Sequence, residues 1–247
     1  MDAVTIALEL AVQDPAGVRV AREVGAARVE LAQALALGGL TPSPATLELA
    51  REAAGEDGPE IHVLIRPRAG GFRYDCDEIA VSVRDVERAI AGGADGVVIG
   101  ALDSSGSLDL DAMARLRDAA GDACVTLHRA IDVTADPVST LERAIELGLR
   151  RVLTSGGAST AMAGADTLRA LVTAAGGRIE IMAGSGVVAS AAAELAATGV
   201  DALHFSAKRA VAADGTGVRM GSASDGVGGY EVTDRVAALA VRQALGI

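Results

Sequence analysis

Carboxylates, arginines and a histidine stand where short apolar segments of this sequence end. Glu9 and Glu30 lie in two such segments, and the run CVTLHRAID finishes in His128, Arg129 and Asp132. A carboxylate or an imidazole in a cleft can move protons, and an arginine can hold carboxylate or phosphate oxygens. These residue types predict acid–base chemistry on a small anionic molecule. The candidate catalytic groups are Glu9, Glu30, His128 and Asp132.

Polar residues and glycines follow the other apolar segments and could bind the same molecule. The candidate substrate-binding residues are Arg66, Arg68, Asp103, Arg129, Ser155, Gly184, Ser185, Gly186, His204, Ser206 and Lys208. The glycine-rich run at 184–186 leads into an Ala-rich helical segment, and backbone N–H groups at such a helix start bind phosphate or carboxylate. Glycine also serves the geometry of short loops, which is the alternative interpretation.

Several of these charged groups also have a purely structural interpretation. The two glutamates could neutralise Arg66 or Arg129, because buried charges need partners. His128 could be a core histidine bonded to a neighbouring carboxylate. His62 shares a strand face with Arg66 and lies deeper, so we interpret it as a packing residue.

Eight β-branched or Leu-rich runs alternate with segments of helical periodicity, a pattern typical of a parallel sheet with helical crossovers. The predicted strands are 4–10, 27–32, 61–66, 96–100, 124–129, 151–155, 179–183 and 201–206. Three helices are predicted to begin at capping residues that precede proline, namely Asp14, Ser43 and Asp136. Four are predicted to end at a left-handed glycine, namely Gly25, Gly93, Gly148 and Gly199.

Eight such units in 247 residues favour a single (β/α)8 TIM barrel over the whole chain. A doubly wound sheet is the alternative, but no GxGxxG follows the first strand. In a barrel the active site lies at the carboxyl ends of the strands, where the candidate residues stand. The strand beginnings are expected to be apolar or to carry scattered surface charge.

A Gly- and Ser-rich stretch, 209–232, separates the last strand from a final helix. A connection of this length in a barrel is typical of a lid or of a disordered segment. We predict a loop that acts as a lid over the mouth; a flexible linker is the alternative.

Composition and charge argue against several classes of function. The net charge of −11 does not suit a general nucleic-acid binder, because phosphate contacts need clustered Lys and Arg. The start MDAVTIALEL has no secretory pattern, and no uncharged run reaches the about 18 residues of a membrane span. We therefore expect a cytoplasmic protein without membrane contact. Cys76 and Cys124 lie outside any CxxC pattern, so neither a disulfide framework nor a structural zinc site is expected.

Six short segments follow one another in a characteristic order between residues 6 and 206. They are 27-ARVEL-31, 38-GGLTPS-43, 62-HVLIRPRAGGF-72, 126-TLHRAID-132, 152-VLTSGG-157 and 182-MAGSGV-187. Together they resemble the CutC family of copper homeostasis proteins. The resemblance implies a single (β/α)8 barrel in the cytoplasm, usually a homodimer, described as copper binding and without a well-defined reaction.

The sequence departs from that family after its first two strands. Members often carry cysteines there, whereas this chain reads 10-LAVQ-13 and 32-AQAL-35. Soft thiolate or thioether ligands select Cu(I), so copper is implied by the resemblance alone and no cofactor is evident.

Two hypotheses of function follow from these residues. The first is an enzyme, either a lyase, an isomerase or a hydrolase, that acts on a small phosphorylated or carboxylate metabolite. The second is a metal-binding or copper homeostasis protein without enzymatic activity. Its possible ligands are Glu9, Glu30, His128 and His204.

Overall fold

In the computed structural model, which describes residues 6–212 and 229–247, eight parallel strands form a closed barrel surrounded by helices. The strands are β1 (Ala7–Val12), β2 (Arg28–Leu31), β3 (Glu60–Leu64), β4 (Gly96–Ile99), β5 (Cys124–Leu127), β6 (Arg151–Thr154), β7 (Glu180–Gly184) and β8 (Ala202–Phe205). The helices are α1 (Pro15–Glu23), α2 (Pro44–Ala54), α3 (Cys76–Ala91), α4 (Leu110–Ala119), α5 (Pro137–Glu146), α6 (Ala165–Ala175), α7 (Ala189–Ala196) and α8 (Arg235–Ala244). Each strand pairs with the next along the chain, and β8 pairs with β1. The predicted (β/α)8 fold is confirmed.

Local signals in the sequence set the ends of the helices. Asp14, Ser43 and Asp136 each accept a hydrogen bond from a backbone N–H of the first turn, at 2.7, 3.2 and 2.9 Å, as predicted. Gly25 and Gly93 turn the chain with φ of 63° and 88°, where a side chain would be strained. The strands themselves are almost wholly buried, because a parallel barrel covers both faces of its sheet.

Charged residues inside the barrel correct the expectation for the strand beginnings. Arg28 and Arg151 begin β2 and β6, and both are buried. The Nε of Arg28 donates to Glu9 on β1 at 3.1 Å, and its Nη2 lies 3.9 Å from Glu180 on β7. Because β2 and β7 are not neighbours, this second pair crosses the barrel interior. The lower part of the interior is therefore an ionic network and not an apolar layer.

The segment after β8 differs from the predicted loop at both ends. Strands β9 (Lys208–Ala212) and β10 (Gly229–Thr233) form an antiparallel ribbon that leads into α8. Within the ribbon, Lys208 pairs with Glu231 at 2.7 Å. The central part of the predicted lid, residues 213–228, lies outside the described residues.

Candidate functional site

A cavity of about 620 Å³ opens at the carboxyl ends of the barrel strands, a size suited to a small molecule. The predicted site residues that line it are Glu30, Arg66, His128, Arg129, Ser185, Gly186, His204, Ser206 and Lys208. Apolar side chains complete the wall, among them Leu35, Leu64, Phe72, Leu153, Val187 and Phe205. The barrel therefore brings most of the predicted residues to one place.

A groove of about 900 Å³ lies outside the barrel, between α1 and α2. Its charged residues, among them Arg19, Arg22 and Glu52, are exposed to solvent. Water screens such groups and leaves their chemistry ordinary. The cavity at the barrel mouth, where Glu30, Arg66 and His128 are buried, is the better candidate for a catalytic site.

Glu9, His204 and Glu30 form a buried row at the floor of the cavity. Nδ1 of His204 lies 2.8 Å from Oε1 of Glu9, and Nε2 lies 3.8 Å from Oε2 of Glu30. Burial alone would lower the pKa of His204, but the two carboxylates outweigh it and raise that pKa. Glu9 was expected beside the cavity; it lies beneath it and pairs with Arg28, not with Arg66 or Arg129.

The two glutamates of this row have opposite proton affinities. Burial would raise the pKa of Glu9, but the hydrogen bond and charge of His204 together with Arg28 lower it to about 2. Burial raises the pKa of Glu30 to about 6; the charge of Glu9 adds to this rise, and His204 opposes it. Among the described residues none donates a hydrogen bond to Glu30, whose contact with His204 is too long for one. Glu30 can therefore gain and lose a proton near neutral pH.

His128 is a hydrogen-bond donor and not a base. Its Nδ1 accepts the backbone N–H of Ala130 at 3.1 Å, so the neutral ring carries its proton on Nε2. Burial and the charge of Arg66 lower the pKa of His128 to about 3. The predicted proton-moving role therefore does not fit this histidine. The alternative of a bond to a carboxylate is also wrong, since its partner is a backbone N–H.

Arg66 is a buried cation beside the cavity. Its Nη1 donates to the carbonyl oxygens of Leu37 and Gly39 at 2.9 and 2.8 Å, and Nη2 donates to Gly70 at 2.7 Å. Within residues 6–212 and 229–247 no carboxylate pairs with Arg66, and its Nε has no hydrogen-bond partner. An uncompensated buried charge is costly, so this guanidinium favours an anion in the cavity.

Asp132 holds the end of β6 and does not line the cavity. Its carboxylate accepts hydrogen bonds from Thr154, from the N–H and hydroxyl of Ser155, and from the N–H of Gly157. It also accepts from Nε of Arg129 at 2.7 Å. With its oxygens engaged in this way, Asp132 positions Arg129 at the cavity wall. Neither Asp132 nor Ser155 lines the cavity, so the structure favours a positioning role over the predicted catalytic role of Asp132 and the predicted substrate contact of Ser155.

Three other predicted substrate-binding residues do not reach the cavity. Arg68 pairs with Glu78 at the start of α3 and is partly exposed. Asp103 accepts hydrogen bonds from Ser105 within its own turn. Gly184 ends β7 and lies outside the lining. A polar residue near a strand end can thus turn away from the mouth.

An aromatic residue that the sequence did not indicate lies in the wall of the cavity. The ring centroid of Phe72 lies 4.7 Å from that of His128, and the guanidinium carbon of Arg66 lies 5.5 Å from the same ring. The chain has only two phenylalanines, and both Phe72 and Phe205 line the cavity. The signal available in the sequence was the scarcity of aromatic residues, which make up 2% of the chain.

Replacing Gly100 by Ala should displace His128 and destabilise the protein by about 1–3 kcal/mol. A Cβ at this position would lie 2.5 Å from Nδ1 of the imidazole. Urea unfolding followed by circular dichroism measures the change. Gly71→Ala is the matched control, because a Cβ there meets nothing within 4 Å. Equal midpoints for the two variants would contradict the close packing of His128.

Fold and site together define a single (β/α)8 barrel with a charged cavity at the carboxyl ends of its strands. The model of the CutC family matches residues 6–209. The chain belongs to the CutC family. Among the described residues, no helix is long and apolar enough to cross a membrane.

Individual relatives agree with this assignment. A family protein CutC of Xanthomonas campestris pv. campestris is 50% identical over 207 residues, which cover 83% of this chain and 85% of the relative. One from Xylella fastidiosa is 47% identical over 232 residues, covering 94% and 85%. A crystal structure described as copper homeostasis protein CutC, from Streptococcus agalactiae, is 31% identical with a TM-score of 0.78 and covers 81% of this chain and 98% of its own.

The residues of the site do not fit copper(I). Cys124 begins β5 at the opposite end of the barrel, and Cys76 is exposed at the start of α3. In the part of the chain that the structure describes, no group of three or more His, Cys, Asp or Glu could hold a metal ion. The cavity offers the carboxylate of Glu30 and the imidazoles of His128 and His204, not the soft thiolate or thioether ligands that select Cu(I).

Proposed function

We propose that this protein is an enzyme that transfers a proton on a small carboxylate-bearing or phosphorylated molecule, with Glu30 as the acid–base group. One observation carries the proposal. A carboxyl group with a pKa of about 6 and a buried arginine that has no carboxylate partner among the described residues face the same cavity. A group that titrates near the working pH is best suited to exchange protons with a substrate.

The other residues of the cavity have supporting roles in this proposal. His128 presents a neutral N–H donor, which can stabilise negative charge that develops on a substrate oxygen. Arg129, positioned by Asp132, adds a second cation at the wall. Glu9 holds His204 beneath Glu30 and keeps the floor of the cavity ionised. Proton transfer of this kind belongs to isomerase or lyase chemistry more readily than to hydrolysis.

Hydrogen–deuterium exchange tests the proposal directly. The protein is incubated in D2O with a panel of small 2-oxo acids, 2-hydroxy acids and phosphorylated oxo compounds. Proton NMR follows the C–H signal beside the carbonyl or hydroxyl carbon. We expect protein-dependent loss of that signal for at least one compound. Exchange no faster than with heat-denatured protein, across the whole panel, would contradict the proposal.

Copper binding without enzymatic activity is the second candidate, favoured by the name of the family. We predict weak Cu(I) affinity that does not change when Cys76 and Cys124 are both replaced by Ser. The two thiols lie at different ends of the barrel and cannot share one metal ion. Competition with a chromogenic Cu(I) chelator measures the affinity. A tight site that disappears in the double variant would refute this prediction and support the second candidate.

The cytoplasmic location and the homodimer expected from the resemblance stay predictions. The small anionic partner stays a proposal until a ligand is identified.

A further inference from the structure

Three buried donor atoms behind the cavity wall have no hydrogen-bond partner among residues 6–212 and 229–247. They are Nε of Arg66, the hydroxyl of Tyr74 and Nε2 of His128. Folded proteins satisfy nearly all buried polar atoms, because an unsatisfied one costs free energy. Three such atoms, one on Arg66 and two on residues that feel its charge, call for a common explanation.

All three groups donate and none needs to accept. His128 uses Nδ1 as its acceptor for Ala130, which leaves the Nε2 proton free. Burial raises the pKa of Tyr74, with Arg66 and Arg68 opposing the rise, so its hydroxyl stays protonated. Arg66 has committed three of its five N–H groups to backbone carbonyls. The missing partner must therefore be an acceptor, and the charge of Arg66 favours an anionic one.

Two of the three groups lie against the ring of Phe72. The ring is tilted by 42° from that of His128, and the guanidinium of Arg66 lies over it. The third group, Tyr74, is tied to Arg66, whose charge lowers the pKa of both Tyr74 and His128. The donor atoms are covered, so Phe72, which is partly exposed on the β3–α3 loop, must turn aside to admit a ligand.

We infer that Arg66, Tyr74 and His128 form a binding subsite for one carboxylate group of the substrate. Arg66 retains its Nε–H and one of the two N–H groups on Nη2. A guanidinium binds a planar carboxylate through hydrogen bonds from such neighbouring nitrogens. Tyr74 and His128 add one donor each. Four donors match the lone pairs of two carboxylate oxygens.

This inference deepens the proposed function and rests on it for the identity of the cavity. It narrows the substrate to a carboxylic acid whose carboxylate is held at β3 and β5. Glu30 then stands on β2, on the other side of Arg66 from His128 along the barrel wall. Tyr74 becomes a substrate-binding residue that no motif in the sequence indicated.

Calorimetry with oxalate and with inorganic phosphate tests the subsite. We expect oxalate to bind more tightly than phosphate, and Tyr74→Phe to weaken oxalate binding about tenfold through loss of one hydrogen bond to a charged group. The same variant should raise the midpoint of thermal unfolding by about 2 °C, because it removes an unsatisfied buried hydroxyl. A residue that only supports the fold would not weaken binding while it stabilises the protein. Tyr230→Phe, on the exposed ribbon, is the matched control and should change neither quantity.

Each other outcome overturns the subsite in a different way. Equal oxalate affinity in Tyr74→Phe and the parent would show that Tyr74 is not part of the subsite. Tighter binding of phosphate than of oxalate would show that the subsite does not select a carboxylate. Binding of neither anion, or a lower unfolding midpoint in Tyr74→Phe, would contradict the presence of unsatisfied donors. The exchange assay separates these failures from a failure of the proposed function. If the parent catalyses exchange but Tyr74→Phe binds oxalate as tightly as the parent, proton transfer stands and the subsite fails. If oxalate binding changes as expected but no exchange is seen, the subsite stands and proton transfer fails.

Discussion

Replacing Glu30 by Gln is expected to slow deuterium exchange at least about a hundredfold, the usual contribution of a general base. Gln keeps the size of the side chain and cannot take up a proton. In the parent the rate should rise with pH and level off above an apparent pKa of about 6, because the ionised carboxylate is the base. Proton NMR across pH 4.5 to 8 measures the profile. An unchanged rate in the variant would contradict the role of Glu30.

The same variant should become more stable than the parent at high pH. The folded-state pKa of Glu30, about 6, lies above its ordinary value of 4.5, so the folded protein binds this proton more tightly. The resulting stability is fully present below pH 4.5 and is lost as pH rises through 6. At pH 8 the parent should lack about 2 kcal/mol that Glu30→Gln retains, and the difference should vanish at pH 4.5.

A surface glutamate provides the control for both measurements. Glu48 is exposed on α2, and Glu48→Gln makes the same chemical change outside the cavity. It should alter neither the exchange rate nor the pH dependence of urea unfolding. A similar gain of stability at pH 8 in this variant would assign the effect to net charge and not to Glu30.

Replacing Glu9 by Leu is expected to destabilise the protein by about 3–5 kcal/mol, since it leaves a buried Arg28 without its partner. Both side chains of this pair are at most 8% exposed, and His204 loses its hydrogen bond as well. The double variant Glu9→Leu with Arg28→Met should recover much of the loss, because it removes both charges. Urea unfolding at pH 7 measures the free energy of unfolding of the parent, the single variant and the double variant.

The exposed pair of Glu142 and Arg178 is the comparison for this effect. Its shortest distance is 2.6 Å, closer than that of the buried pair, but both side chains are more than 40% exposed. Glu142→Leu should therefore cost no more than about 1 kcal/mol. Similar losses in the free energy of unfolding for Glu9→Leu and Glu142→Leu would show that burial does not determine how much the Glu9 pair stabilises the protein.

Local chemistry explains which parts of the fold could be predicted. The capping residues before Pro15, Pro44 and Pro137 and the left-handed glycines act within one turn of the chain. The strands pack on both faces, and most of their residues are therefore apolar. These signals depend only on residues close together in the sequence, so they can be read without the tertiary structure. The ribbon formed by β9 and β10 escaped prediction because its two strands are separated by a Gly- and Ser-rich stretch.

The roles of the site residues could be predicted only in part. Arg66, His128 and Glu30 were placed at the mouth because the carboxyl ends of parallel strands meet there. Strand beginnings were expected to be apolar or to carry scattered surface charge, yet Arg28 and Arg151 at two of them are buried. Their burial depends on carboxylates that other strands contribute.

By itself the sequence determined the barrel, its strand order and the polar character of its mouth, because periodicity and end signals are local and the order follows from the crossovers. Only the tertiary structure decided which charges meet. Whether Glu9 pairs with Arg28 or with Arg66 depends on the register of β1 against β2 and on the stagger across the barrel. A shift of one residue would turn each side chain to the other face of the sheet. The proton affinity of Glu30, which depends on its neighbours Glu9 and His204, follows from that register.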